Sequence, residues 1–424
     1  MAHIDVRSPW RWQGMPLWHR VLPLCFGLMS YPYTMFVGLL GIVLLGVWQT
    51  VRSPKAVGTL LVKSGFLAIA FLMILSASQA INPGETLLQL THFLPFFWFW
   101  AFLTVYLQRT DNPWWQLYCW AVVLVLASIP LNVIGIVEYI FKFTPTPGLL
   151  PYFPLIDWLY LGDLHVPRAF SLFDYPNTLA SYLVLMLGLN LGLLHLGQPT
   201  CLTAPRRRWV YLLTAMNIPL TLICIFCSGS RNGLLVAIIL ILVGLLCLRT
   251  SRQLKLLGLG GLAFVIATTL KVGIGGRSLA WAWLTDDPRV QVWQMALAMI
   301  GDRPLLGYGL GSYKLLYDGE IFGYSYIAHA HNFWLMIASE VGLPAAFLFT
   351  LVIGFICFRG YRALQQLRHQ SDCHAVLMAY CLAFLGIVLF SLLDITLFEA
   401  RVNIVTWLSL GVIAASPELS RQCQ

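Results

Sequence analysis

Apolar residues run along this chain in blocks about as long as a membrane-crossing helix, with short polar punctuation between them. About 20 residues of helix cross a ~30 Å hydrocarbon core. Runs of that length lie at 57–80, 86–107, 113–141, 176–197, 209–228, 231–249, 254–273, 331–358, 374–395 and 399–415. A further apolar stretch, Val21 to Trp48, is interrupted by Ser30, Tyr31, Pro32 and Tyr33. Proline disfavours helix in the residue before it, so this stretch reads as two short helices turning near Pro32. The pattern predicts an all-α, polytopic membrane protein of about twelve transmembrane helices, or eleven if the first stretch crosses once.

Composition agrees with the pattern. Charged residues make up only 10% of the chain and hydrophobic ones 59%, where a soluble domain carries roughly 25% charged residues. The formal net charge of +9 does not point to nucleic acid, because the basic residues cluster in short connections between apolar runs. Arg206–Arg208, Arg249 with Arg252 and Lys255, and Arg359 with Arg362 and Arg368 lie two spans apart, which marks those connections as cytoplasmic. The first twenty residues hold Arg7, Arg11 and Arg20 and no apolar core, so no cleavable signal is read there. The cysteines fall mostly inside apolar runs; Cys224 and Cys227 read as core packing rather than as a redox pair.

Alternating sides from these anchors puts three features on the outer face: the connection 142–175, the turn Ser228 to Arg231, and a connection of about 57 residues at 274–330. The last is too long to be a simple connector and reads as a lid or substrate-binding segment. Within it, Asp287 and Pro288 form a helix start. Val292, Trp293, Ala296, Leu297 and Ile300 then predict a short amphipathic helix over 288–300, stopped by Gly301. The following L-L-G-Y-G-L-G-S-Y carries Gly307, Gly309 and Gly311. It lacks the spacing of a nucleotide-binding loop and predicts a tight backbone path close to lipid phosphate or to a helix.

The outer charges carry the candidate chemistry. Arg168, Arg231, Arg289 and Arg401 all fall where topology disfavours arginine, and a guanidinium fork suits a diphosphate at the membrane boundary. His331 lies where the outer connection re-enters the membrane, and an imidazole there can take a proton from an attacking hydroxyl. His329 is two residues away, but no cysteine or carboxylate nearby in sequence completes a metal set, and no metal is assigned. Glu340 lies nine residues further on, about 13 Å deeper on a continuous helix and on its opposite side. Gly342 and Pro344 predict a bend beside it, and a structural or gating role fits this carboxylate best.

The string H-N-F-W-L-M-I-A-S-E-V-G resembles the H-N-x-x-L-x-x-x-x-E-x-G motif of the O-antigen ligase and polymerase superfamily, through His331, Asn332, Leu335, Glu340 and Gly342. Arg231 to Leu235, Arg289 with Trp293, and Arg168 with Asn177 match further family patterns, and the resemblance covers about residues 160–415. It implies a GT-C-like, metal-independent glycosyltransferase of the bacterial inner membrane, with its site facing the periplasm and no cofactor. Such an enzyme moves a glycan from an undecaprenyl-diphosphate donor to a hydroxyl of a glycan, a lipid A core or a protein. Carried over, His331 is the general base, Arg231 and Arg289 bind the diphosphate, and Arg168, Asn177, Asn332 and Glu340 support the site. The implied organisation is N-terminal transmembrane helices over 1–150, a ligase-like region over 151–415 including the periplasmic loop 274–330, and a cytoplasmic tail at 416–424. A bicarbonate or other anion transporter is the alternative. It would show paired broken helices around mid-membrane charges, and the sequence has none beyond the bend near Glu340.

Overall fold

The computed structural model describes residues 17–141, 168–196, 204–247, 252–274, 288–317 and 327–422. Their α-helices are α1 (Leu17–Leu28), α2 (Pro32–Arg52), α3 (Pro54–Ser64), α4 (Phe66–Ser76), α5 (Pro83–Leu90), α6 (Leu94–Arg109), α7 (Pro113–Phe141), α8 (Pro176–Leu196) and α9 (Ala204–Cys227). They continue with α10 (Arg231–Cys247), α11 (Arg252–Val272), α12 (Pro288–Asp302), α13 (Tyr313–Leu316), α14 (Phe333–Glu340), α15 (Leu343–Gln366), α16 (Ser371–Phe390) and α17 (Ala400–Gln422). Pro32, Pro54, Pro83, Pro113, Pro176 and Pro288 each open a helix, the position where a missing N–H costs nothing.

Among the described residues, eight helices are long and apolar enough to cross a membrane, or nine if the bent pair α3 and α4 counts as one span. The twelvefold reading is therefore not reproduced by length. The apolar stretch at 21–48 does divide at Pro32, but α1 has only 12 residues. The stretch at 231–249 yields a 17-residue helix. Two predicted spans are broken. Gly65, at φ 90°, separates α3 from α4, which bend by 71°. At 331–358, Gly342 (φ 107°) ends α14, and the long helix begins only at Leu343.

The centre of the bundle is the pair α8 and α16. From Thr178 to Leu193 every residue of α8 is buried, which is expected of a helix surrounded by others rather than by lipid. Gly188 and Gly192 allow the two backbones to touch: a Cβ on Gly188 would lie 2.4 Å from the Ala383 nitrogen, and one on Gly192 2.4 Å from Ala379 Cα. Small residues at this spacing let membrane helices pack by van der Waals contact, where no hydrophobic driving force is available.

The N-terminal and C-terminal parts share one core. Phe66 of α4 and Phe97 and Trp100 of α6 stack among Phe349 of α15 and Trp407 of α17. Past the apolar run that ends near 415, α17 continues to Gln422 with Leu419 and Ser420 buried. Glu418 is the physical reason, accepting from Arg359 at 3.0 Å and from Gln108 at 3.3 Å.

Candidate functional site

At the other end of α15 and α17 the connections converge. Asn332 caps α14, its Oδ1 accepting from Leu335 N at 3.0 Å, while its Nδ2 donates to Leu392 O at 2.9 Å. Phe333 N donates to Ser391 O at 3.0 Å. These bonds strap the start of α14 to the end of α16. His331, just before the cap, has a positive φ of 48°, a conformation uncommon for non-glycine residues though less so for histidine. The turn directs its ring to Asp394, with Nδ1 2.8 Å from Oδ1. His331 is 30% exposed and Asp394 only 5%, so the carboxylate forms the floor and the imidazole the accessible face.

Asp394 is held on every side. Ile395 N donates to Oδ1 at 2.9 Å. Asn177 Nδ2 donates to Oδ2 at 2.5 Å, and Asn177 Oδ1 accepts from Arg168 at 2.7 Å. Arg168 Nε also donates to the Ser228 carbonyl at 2.7 Å. Burial on its own would raise the Asp394 pKa, but the His331 hydrogen bond, with the electrostatic influence of His331, His329 and Arg289, outweighs it and holds this carboxyl well below the usual range. An ionised Asp394 accepts from Nδ1–H of His331, which leaves Nε2 with its lone pair outward.

Arg168, Asn177 and His331, which the motifs named separately, thus meet through Asp394. Arg289, in the first turn of α12, is near enough to act electrostatically on the same carboxylate. Arg231 opens α10 directly after the turn whose Ser228 carbonyl Arg168 holds, and its neighbour Asn232 donates to Phe390 O at 2.8 Å at the end of α16. Arg401 is different: it is buried, bonds Glu399 at 2.5 Å and lies 3.7 Å over the Phe173 ring. It clamps the 168–175 loop to the start of α17.

Glu340 belongs to another junction. With α14 ending at Glu340, its side chain accepts from Tyr313 N at 2.9 Å and its carbonyl from Gly309 N at 2.8 Å. The glycine-rich strip is the partner. Gly307, Gly309 and Gly311 all have φ between 60° and 86°, and a Cβ on Gly307 would lie 2.5 Å from the Glu340 carbonyl carbon. The expected close approach of this strip to a helix is present. The same segment reaches the N-terminal half, with Lys314 Nζ 2.5 Å from Glu85 Oε1 and Thr86 donating to Leu310 O at 2.9 Å. Asp287, the expected cap of α12, lies outside the described residues, as does most of 142–175.

Asp394 is the residue that sequence reasoning missed. Its signal was present, a lone carboxylate in S-L-L-D-I-T directly after an apolar run, but only the fold places it against His331. It also corrects the expectation that no carboxylate completes the histidine pair, because His329, His331 and Asp394 bring three ligating atoms within 4.8 Å of one another. His329 lies edge-on to His331, with ring centroids 4.6 Å apart, and stacks on Phe398. Burial, with the neighbouring His331 charge, pushes its pKa down to about 4.

Beside Phe398 is a small apolar pocket walled by Phe333, Phe349, Phe384, Ile387, Phe398 and Trp407. It shares Phe333 and Ser391 with the strap that carries His331.

Residues 217–350 match the O-Antigen ligase family model. The match supports the O-antigen ligase and polymerase superfamily and, with the apolar helices, a multi-pass membrane enzyme of the lipid-linked glycan ligase or polymerase type. No curated protein matches the chain. The O-antigen ligase stretch contains Arg231, Arg289, His331, Asn332 and Glu340, whereas Arg168, Asn177 and Asp394 lie outside it.

Proposed function

We propose that the chain is an inverting glycosyltransferase of the bacterial inner membrane, with its site facing the periplasm. It takes a glycan from an undecaprenyl-diphosphate donor and passes it to an acceptor hydroxyl. The observation that carries this reading is the ordered set Arg168, Asn177, Asp394 and His331 at the edge of the O-antigen ligase stretch. Asp394 holds His331 in the tautomer whose Nε2 accepts the acceptor's proton. The acceptor oxygen forms the new bond to the sugar carbon as the bond from that carbon to the diphosphate oxygen breaks, and the diphosphate leaves with the electron pair. Arg231 and Arg289 neutralise that charge, a role suited to fixed guanidinium donors.

No metal or nucleotide takes part in this scheme. The transporter reading gains no support. Broken helices are more numerous than the sequence showed, but the break at Gly342 is filled by protein: Leu343 N donates to Pro304 O at 2.8 Å, and a Cβ on Gly342 would lie 2.1 Å from Leu305 O. An ion-coordinating break needs open carbonyls lining a cavity.

The test is transfer from a lipid-diphosphate glycan by purified protein in EDTA, comparing the native chain with His331→Ala, Arg231→Ala and Arg289→Ala. Transfer by the native chain, lost in His331→Ala and weakened in both arginine variants, is expected. A native chain that transfers nothing from a panel of such donors but moves bicarbonate into liposomes would overturn the proposal.

A further inference from the structure

We infer that His329, His331 and Asp394 form a transition-metal site whose occupation by an ion such as Zn²⁺ blocks the base, so that metal acts on this protein as an inhibitor. The inference rests on the reading of His331 given above. Two imidazoles and a carboxylate are the donor set that suits zinc and its neighbours, and three protein ligands with one open position are typical of accessible zinc sites.

The geometry comes from the backbone. The positive φ of His331 folds the turn back so that His331 N donates to His329 Nδ1 at 3.4 Å, and the two rings come together over a single carboxylate. The three ligating atoms lie within 4.8 Å of one another. Zinc bonds of ~2.0–2.2 Å require closer ligand atoms than that, so some closure is needed.

That movement falls to the rings. Asp394 is fixed by Asn177 and Ile395, outer-shell partners of the kind that orient ligating carboxylates. His329 and His331 sit on a connection between helices and can rotate about their side-chain bonds. The half-exposed face of His331 leaves the fourth position open to water. Binding displaces the proton shared between His331 Nδ1 and Asp394; the ring stays neutral by taking a proton on Nε2, which removes the lone pair the base needs. It also turns the ring that should present Nε2 to an acceptor. Hard cations such as Mg²⁺ and Ca²⁺ prefer oxygen ligands and do not suit this set.

His329 makes the site testable, because it belongs to the metal set but neither takes the acceptor's proton nor binds the diphosphate in the proposed transfer. The full-length purified chain, stripped with EDTA and then freed of it, is titrated with ZnCl₂ by calorimetry, and with CoCl₂ by visible absorption. Transfer is followed in parallel at rising Zn²⁺ and at millimolar Mg²⁺. The native chain should bind one saturable equivalent of Zn²⁺. It should give Co²⁺ bands far stronger than those of the octahedral aqueous ion, and lose transfer at micromolar Zn²⁺ with recovery in EDTA. His329→Gln, whose carboxamide can still accept from His331 N, should retain measurable transfer, and half inhibition of its own metal-free rate should need more than about tenfold more Zn²⁺ than in the native chain.

Zinc binding or inhibition unchanged in a folded His329→Gln overturns the site. So does an unchanged aqueous Co²⁺ spectrum with the native chain, a measurement that needs no variant. A native chain that transfers no glycan yet binds zinc in a His329-dependent way keeps the metal site and sinks the transferase reading. Transfer with no saturable zinc binding does the reverse.

Discussion

Replacing Asp394 by asparagine keeps the size of the side chain and changes only what it can accept. Asn177 cannot adapt to the change, because Arg168 donates to its carbonyl at 2.7 Å and so fixes its amide toward residue 394. The new carboxamide must turn its oxygen to Asn177 and its NH₂ to His331, giving up the bond from Ile395 N. An NH₂ facing Nδ1 makes that nitrogen the acceptor and puts the imidazole proton on Nε2, the wrong tautomer for a base. General-base catalysis is worth about 10²–10⁴-fold, so transfer should slow by about that factor, which at 1.36 kcal/mol per decade is about 3–5 kcal/mol of barrier. Single-turnover transfer in EDTA measures the chemical step apart from product release, and thermal unfolding in detergent checks that the variant is folded. A folded Asp394→Asn enzyme within about fivefold of the native rate, beside an inactive His331→Ala, would refute the coupling of base to carboxylate.

Glu340→Gln retains an acceptor for Tyr313 N and should cost little, whereas Glu340→Leu leaves that buried N–H unsatisfied and should lower stability by about 1–3 kcal/mol, read as a shift of the unfolding midpoint. Gly192→Val forces a side chain into the Ala379 backbone and should destabilise by at least about 1–3 kcal/mol; a native midpoint would contradict the close packing of α8 on α16. His329 stays neutral in the folded chain down to about pH 4, while an unfolded histidine titrates near 6.5. Its contribution is therefore fully present above pH 6.5 and is lost as pH falls toward 4, by about 3 kcal/mol at most. The drop in midpoint over that window should be smaller in His329→Gln, and an identical pH dependence in the two proteins would count against a buried neutral ring.

Some elements were legible because a local signal fixed them. Pro32 divides α1 from α2, Pro288 opens α12, and Gly342 with Pro344 separates α14 from α15. The break at Gly65 was not legible, since a glycine inside an apolar run reads the same whether it is helical or left-handed. The run 331–358 still counts as one span by hydropathy, which averages across the bend that Gly342 and Pro344 mark. At the site, His331, Arg168 and Asn177 could be named by motif, but their meeting point is a residue in another connection, 63 positions from the histidine. Charge, size and periodicity carry no information about such a contact, which exists only once α8 and α16 are side by side.

That pairing of α8 with α16 has a mechanical consequence. Asn177 is the second residue of α8, and Asp394 lies just past the end of α16, so the 2.5 Å bond between them depends on how the two helices are registered lengthwise. Gly192, where the backbones touch, is fifteen residues from Asn177, about 22 Å along the helix at 1.5 Å per residue. A helix that slides or tilts by one ångström at the deep contact moves the amide away from its carboxylate. Bilayers of different thickness impose such tilts on membrane helices, so the acyl chain length of the surrounding lipid becomes a control on the orientation of the His331 base.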